Sequence, residues 1–341
     1  MNSFKLLILL LTSTSGMAKV PAPVKKEIVI AVIDTGIDIR KNDLASKLWI
    51  NPGESGPDIH GKNKQNNQID DDHNGFVDDV SGWDFSSASN ATQDHHGHGT
   101  HIAGVIAGLA PRAKILPLKY YDPKNQPAND VSGNISTTVQ AIRYAIKMHV
   151  DIINYSGGGA GKDQEEEQAI RAAEKAGILV VAAAGNDGRN TDSKGYFPAS
   201  YLSKNIISVA SLDSNSKILD SSNYGVSTVD LGAPGKNIVS NFLNGAQLPM
   251  TGTSQATAVV TGTAAQILVD QQLPYECVKA IIISSVDAST GLVNKTNSGG
   301  SLNRQRALST KTQRQNALGT YIQEPAEGPM TLQKISELTD E

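Results

Sequence analysis

Three residues whose side chains can combine in nucleophilic catalysis stand in short glycine-containing motifs. Asp34 precedes Thr-Gly, His98 precedes Gly-Thr-His, and Ser254 follows Gly-Thr. A serine hydroxyl is a weak nucleophile until an imidazole accepts its proton, and the imidazole needs a carboxylate that fixes its tautomer. Taken singly, Asp34 is more simply explained as a turn cap and Ser254 as a helix N-cap. Taken together, the three favour nucleophilic catalysis.

These residues adjoin predicted elements of secondary structure. Buried parallel strands are predicted for four apolar runs, Ile28–Ile33, Asp151–Tyr155, Ile178–Ala183 and Ile206–Val209. Helices are predicted over Gln164–Ala176 and, from an apolar spacing of 3.6 residues, around Ile135, Val139, Ile142 and Ile146. Strands that alternate with helices indicate an α/β fold of three layers, with a mostly parallel β-sheet covered by helices on both faces. Site residues of such a sheet gather at the carboxyl ends of its strands.

The composition is that of a globular chain with a substantial core. Of 341 residues, 39% are hydrophobic and 19% charged, and 30 basic against 34 acidic residues give a net charge of −4. A near-neutral balance provides no attraction to nucleic acid or to a membrane surface, so neither is expected as a partner. Cys277 is the single cysteine, which excludes an intramolecular disulfide framework.

The two ends of the chain differ from its middle. Lys5, an apolar run and small residues up to Ala18 are typical of a secretory signal peptide, so we expect residues 1–18 to be removed on export. A buried N-terminal helix is the alternative, whereas the run is too short for a membrane anchor. Residues 310–341 are polar and are expected to form a tail outside the core, with at most one short helix. Residues 19–309 are then the globular domain of a secreted or periplasmic protein.

The motifs around the three candidate residues resemble those of the subtilisin-like serine peptidases. Asp-Thr-Gly, His-Gly-Thr-His-x-Ala-Gly and Gly-Thr-Ser-x-Ala-Thr occur in the family's order, and the resemblance extends from Ile28 to Leu308. It implies the subtilisin-like fold and a monomeric serine endopeptidase that acts on polypeptides. It also implies a catalytic triad, in which His98 takes the proton of Ser254 and Asp34 orients His98.

The same resemblance assigns residues that hold the substrate. Asn186 corresponds to the family's oxyanion-binding asparagine, with the backbone N–H of Ser254 as second donor; a turn asparagine is the alternative. The segment 154–159 resembles the family's substrate-binding strand, whose backbone pairs with an extended peptide as an added strand. The residues expected to contact substrate are Ser156, Gly157, Gly158, Ala183 and Gly185. A larger apolar residue is usual at Gly157, so the sequence leaves the side-chain preference open.

An acidic segment between residues 70 and 79 has the spacing of a calcium-binding loop. Oxygen-bearing residues occupy loop positions 1, 3, 5 and 9, and glycine occupies the sharp turn. A solvated acidic turn is the alternative, but repulsion between unpaired like charges at this density favours a bound cation. The expected ligands of a structural calcium ion are Asp70, Asp72, Asn74, Asp78 and the backbone carbonyl of Phe76.

Four of the seven histidines lie between His95 and His101, which raises the alternative of a zinc site. Helical zinc motifs place two histidines four residues apart with a glutamate nearby, whereas His98 and His101 are three apart and no glutamate is close in sequence.

The sequence therefore favours an exported serine endopeptidase. Its main rival is a protein that keeps the subtilisin fold and binds peptides without cleaving them.

Overall fold

The computed structural model describes residues 27–40, 43–124, 131–315 and 320–324. Its helices are α1 (His98–Leu109), α2 (Val131–Lys147), α3 (Gln164–Lys175), α4 (Thr253–Gln271), α5 (Tyr275–Ser284) and α6 (Arg304–Ser309). Its strands are β1 (Val29–Asp34), β2 (Trp83–Asp84), β3 (Lys114–Lys119), β4 (Ile152–Tyr155), β5 (Leu179–Ala183), β6 (Ile206–Leu212), β7 (Leu231–Pro234), β8 (Ile238–Asn241), β9 (Gln247–Met250), β10 (Asp287–Ala288), β11 (Gly300–Ser301), β12 (Lys311–Gln315) and β13 (Thr320–Glu324). The expected signal peptide, residues 1–18, lies outside the described residues.

Nine strands form one sheet in the order β10-β11-β7-β6-β5-β4-β1-β3-β2. Neighbouring strands pair in parallel except β10 and β11. Strand β1 lies between β3 and β4, with Ile30 opposite Ile115 on one side and Ile152 on the other. Because parallel neighbours are joined through helices that cover the sheet, the strands are buried on both faces and read as continuous apolar runs.

Two apolar cores lie on opposite faces of this sheet. From β1, Ile30 and Val32 join the core that contains α1, α4 and α5. The alternate residues Val29, Ala31 and Ile33 join the core that contains α2 and α3. The predicted three-layer α/β architecture is therefore confirmed.

Most of the predicted elements lie where the sequence patterns place them. The four apolar runs contain β1, β4, β5 and β6, and the two helical patterns fall in α2 and α3. Strand β1 extends one residue further than predicted, because Asp34 itself pairs with Lys119. None of the helices in the described part of the chain combines the length and apolarity that a membrane crossing needs.

The start of the tail differs from expectation. Strands β12 and β13 pair antiparallel, with Lys311 opposite Glu324 and Gln315 opposite Thr320. The described residues 311–315 and 320–324 of the tail therefore form strands, whereas residues 316–319 and 325–341 lie outside the described residues, so the short helix stays a prediction.

Candidate active site

The carboxyl edge of the sheet brings Asp34 and His98 into direct contact. Asp34 is the last residue of β1, and His98 is the first residue of α1. The Nδ1 atom of His98 lies 2.8 Å from Oδ1 and 3.0 Å from Oδ2 of Asp34, whose side chain is buried. Because Nδ1 donates to the carboxylate, the neutral ring keeps its Nε2 lone pair free to accept a proton.

Opposing effects set the pKa of His98. Burial lowers this pKa because it disfavours the charged imidazolium. The negative charge of Asp34, the hydrogen bond to it and the charge of Asp94 outweigh burial, so the pKa of His98 lies above its usual 6.5. A histidine with a raised pKa accepts the proton of a hydroxyl more readily than a free imidazole does.

Asp94, which the sequence reasoning missed, ties the segments of Asp34 and His98 together. It is fully buried, and its Oδ1 accepts from the hydroxyl of Thr35, the residue after Asp34, at 3.0 Å. The same oxygen accepts from the backbone N–H groups of residues 96 and 97 at 2.8 Å. Its Oδ2 accepts from the backbone N–H and the hydroxyl of Thr100 at 3.0 and 2.6 Å. The signal available in the sequence was an aspartate four residues ahead of His98 and its motif.

Ser254 lies at the same edge of the sheet, as the second residue of α4. Its hydroxyl donates to the backbone carbonyl of Ser156 at 3.0 Å, and the Ser156 hydroxyl donates to the backbone carbonyl of Ser254 at 3.3 Å. Among the described residues, no hydrogen bond joins the Ser254 hydroxyl to His98. Helices α1 and α4 nevertheless pack in one core and begin at this edge, so both residues head neighbouring helices. Hydrogen bonds of an active site are often completed only when substrate binds.

Asn186 follows β5 and is anchored to the start of α4. Its Oδ1 accepts from the backbone N–H of Thr253 at 2.9 Å and from the Thr253 hydroxyl at 3.1 Å. Because the amide oxygen of Asn186 accepts these two bonds, the NH₂ group of Asn186 points away from Thr253 and is free to donate elsewhere. The first backbone N–H groups of α4, including that of Ser254, have no intrahelical acceptor and lie at the positive end of the helix dipole. The two kinds of donor can act on one anionic oxygen.

The expected substrate-binding residues end or follow the adjacent strands β4 and β5. Ser156, Gly157 and Gly158 extend β4, while Ala183 ends β5 and Gly185 comes two residues later. The space that a larger residue would fill at position 157 is occupied. A Cβ atom there would lie 2.6 Å from Oη of Tyr120 and 2.8 Å from the ring of Tyr155. Gly157 therefore leaves room for the side chain of Tyr120, the residue that follows β3.

Two of the predicted ligands, Asp70 and Asp72, cluster with a further carboxylate, that of Glu54. Oxygen atoms of these three residues all lie within 4.8 Å of one another. Asp78 lies outside this group, and its two carboxylate oxygens accept from the backbone N–H groups of residues 67 and 68 at 3.0 Å. The side-chain oxygen of Asn74 accepts from the N–H of residue 76 at 2.7 Å.

Glu54 is the member of this cluster that the spacing could not identify, because it precedes the acidic segment. Its side chain is fully buried, and its Oε1 accepts from the backbone N–H groups of Asp71 and Asp72 at 2.7 and 3.3 Å. Its Oε2 is buried without a hydrogen-bond partner among the residues described. Burial raises the pKa of Glu54. An unpartnered buried oxygen beside two further carboxylates is the donor chemistry that suits a hard cation.

The clustered histidines do not converge on one point. His95 contacts Asp122 with its Nδ1 at 2.9 Å. His101 is buried, and its Nε2 lies 2.9 Å from the carbonyl oxygen of Ile238 in the β8–β9 hairpin. The potential metal ligands that do lie close together among the described residues are Glu54, Asp70 and Asp72, and none of them is a histidine.

A histidine–carboxylate pair and a helix-heading serine at the carboxyl edge of a parallel, three-layer sheet place this protein among the α/β serine hydrolases. Comparisons with known proteins narrow the class. Residues 25–313 match the subtilase family. Thermitase of Thermoactinomyces vulgaris is 32% identical over 292 residues, which are 81% of this chain and 89% of thermitase. The major intracellular serine protease of Bacillus subtilis is 35% identical over 254 residues, covering 71% of this chain and 68% of that protein.

The chain belongs to the subtilase family and is a serine endopeptidase, so its substrates are polypeptides. Among solved structures, it is similar to the epidermin leader peptide processing serine protease from Staphylococcus aureus. That likeness has a TM-score of 0.64 and covers 83% of this chain and 75% of the other. At 23% identity it shows the shared fold alone.

Proposed function

We propose that Asp34, His98 and Ser254 form the catalytic triad of an exported endopeptidase, with Asn186 and the backbone N–H of Ser254 as oxyanion donors. The observation that carries the proposal is the 2.8 Å hydrogen bond between His98 and Asp34 at the edge where Ser254 heads α4. That bond fixes the tautomer in which Nε2 is the base.

The reaction begins when the Ser254 hydroxyl leaves the carbonyl of Ser156 by rotation about its Cα–Cβ bond and turns to His98. His98 Nε2 takes the proton as Ser254 Oγ bonds to the substrate carbonyl carbon, and the charge of Asp34 stabilises the imidazolium. The negative oxygen of the tetrahedral intermediate accepts from Asn186 and from the backbone N–H of Ser254.

The intermediate then collapses to products in two stages. His98 gives its proton to the leaving amine, the C–N bond breaks, and an acyl-enzyme on Ser254 remains. Water, deprotonated by His98, attacks the ester in the same way and restores the free hydroxyl. The proton that Ser254 loses in the first stage leaves with the amine, and His98 passes the proton of the water to Ser254 Oγ in the second stage.

A fluorophosphonate probe tests this assignment, because it labels only an activated serine. We expect the wild-type protein to be labelled, and Ser254→Ala and His98→Ala to lose labelling. Ser227→Ala, which removes an exposed hydroxyl away from this site, should be labelled like the wild type. A wild-type protein that folds, binds peptides and is not labelled would instead be the non-cleaving peptide-binding protein.

Export and calcium binding complete the proposal. The N-terminal residues 1–18 have the composition of a signal peptide, which supports a secreted or periplasmic location. Support for a structural calcium ion comes from the three clustered carboxylates and the unpartnered Oε2 of Glu54. Glu54, Asp70 and Asp72 would hold the ion, which supplies positive charge that stabilises this part of the fold and takes no part in proton transfer.

A further inference from the structure

The β8–β9 hairpin leads into the helix that carries the proposed nucleophile. Strand β9 ends at Met250, and Ser254 follows four residues later as the second residue of α4. The hydroxyl of Ser254 is bonded to the carbonyl of Ser156, so its distance from His98 depends on how the starts of α1 and α4 are held. A segment that contacts one helix start and continues into the other can therefore control the alignment of nucleophile and base.

The base of the hairpin is bound to α1 one turn after His98. The ring of His101 is buried, and its Nε2 lies 2.9 Å from the carbonyl oxygen of Ile238 in β8 and 3.0 Å from that of Leu248 in β9. The hydroxyl of Ser240 donates to the backbone carbonyl of His101 at 2.8 Å. Both strands of the hairpin are thus fixed against the first turns of α1.

The tip of the hairpin packs on the residue that precedes His98. This residue, Gly97, is the N-cap of α1 and has a φ of 97°, in the left-handed region that favours glycine. A Cβ atom placed on Gly97 would lie 2.3 Å from both Cε2 and Cζ of Phe242. The ring of Phe242 therefore lies directly against the backbone at Gly97, on the side where another residue would carry its side chain.

A hydrogen bond connects the same tip to the segment of Asp34. The backbone N–H of Asn244 donates to Oδ2 of Asp38 at 2.8 Å. Asp38 is fully buried and follows Asp34 by four residues. The tip thus contacts the chain beside Asp34 and beside His98, while the strand that leaves the tip leads to Ser254.

We infer that Phe242 is a positioning residue of the peptidase, which aligns His98 with Ser254 through its contact with Gly97. The inference rests on the proposed triad and adds a residue outside the reacting groups. Truncation of the ring removes the support of the backbone at Gly97, so that His98 can shift relative to Ser254. A displacement of about 1 Å at a reacting group can lower the rate by about 10²-fold.

The test is a series of substitutions at residue 242, assayed with a peptide substrate well below the melting temperature of each variant. Phe242→Ala should lower kcat at least about tenfold and change KM less than about threefold, because alignment acts on the chemical step. It should also slow fluorophosphonate labelling of Ser254 at least about tenfold, since labelling needs the activated serine and no bound peptide. Phe242→Leu, which keeps apolar volume against Gly97, should retain kcat within about threefold.

The matched control is a buried residue of a helix that carries none of the proposed site residues. Ile282→Val removes volume from the core side of α5. It should lower the melting temperature, as large-to-small substitutions in a core do, and leave kcat and the labelling rate unchanged. The control separates a loss of alignment from a loss of stability.

The outcomes separate this inference from the proposed function. A Phe242→Ala variant with wild-type kcat and labelling rate overturns the inference, because the ring would then serve stability alone. So does a Phe242→Leu variant that loses as much kcat as Phe242→Ala. If Phe242→Ala does not fold, Phe242→Val decides by the same two measurements. A wild-type protein that is not labelled at Ser254 overturns the proposed function, and the inference with it.

Discussion

Asp94→Asn exchanges one carboxylate oxygen for an NH₂ group inside the buried network that joins Asp34 to His98. The amide oxygen can keep the contacts at Oδ1, where two backbone N–H groups and a hydroxyl donate. The NH₂ group must then take the place of Oδ2 and face Thr100. The Thr100 hydroxyl can reverse its bond and accept, but the Thr100 backbone N–H cannot.

The expected loss follows from that one unmatched donor. A hydrogen bond to a charged group contributes about 1.5–3 kcal/mol, so we expect the free energy of unfolding to fall by this amount. For a domain of this size, the melting temperature should fall by roughly 3–12 °C. Because the charge of Asp94 is one of the causes that raise the pKa of His98, the acid limb of the kcat/KM profile should also move to lower pH.

Melting is measured in the Ser254→Ala background, where self-digestion is removed, and the pH profile is measured in the active enzyme. The control is Asp220→Asn, which alters an exposed aspartate and should change stability by no more than about 0.5 kcal/mol. The reasoning is refuted if Asp94→Asn matches Asp220→Asn in both melting temperature and acid limb.

Three further outcomes are expected. Asn186→Ala should lower kcat by about 10²–10³-fold with a smaller effect on KM, since it removes a donor that acts mainly in the transition state. Activity should fall with acid around a midpoint above 6.5, because His98 must be neutral to act as a base, and Asp34→Asn should move that midpoint to lower pH while lowering kcat. Chelation of calcium should lower the melting temperature of Ser254→Ala. Where calcium was present at a hundredfold excess over Kd, its removal lowers the free energy of unfolding by about 2.7 kcal/mol. Glu54→Gln should abolish this calcium-dependent difference.

The controls for these outcomes lie in the same regions. Asp71→Asn alters a carboxylate that accepts from Asn67 and lies outside the acidic cluster, so it should keep the full calcium-dependent difference in melting temperature. An unchanged acid limb in Asp34→Asn would contradict the account of the His98 pKa. Wild-type kcat in Asn186→Ala would remove this residue from the oxyanion site.

The layers and the edge of the site were predictable because they depend on local patterns. A continuous β-branched run such as Ile28–Ile33 can be buried on both faces only as a central parallel strand, and this placed Asp34 at the carboxyl edge. The strand pairing did not need to be known in detail, since every parallel strand ends on the same side.

The remaining features depend on contacts that leave no local pattern. Glu54 reaches the acidic segment across a loop, and the ring of Tyr196 packs against Gly158 and Gly185 from a third segment. Spacing rules describe one element or one loop, so neither contact could be derived from them. In the tail, β12 and β13 pair through their backbones, and their sequences show no hydrophobic period.

The position of α4 has a consequence for the order in which activity appears during folding. The proposed nucleophile lies on this helix, in the last third of the sequence, whereas Asp34 belongs to the first strand. The contact between Asp34 and His98 joins residues that are 64 positions apart in the sequence. The contact between Ser156 and Ser254 joins residues that are 98 positions apart. Contacts of such range form late, because the entropy of closing the intervening chain is lost before they stabilise anything. With the proposed triad, a nascent chain therefore remains without proteolytic activity until α4 docks against the sheet.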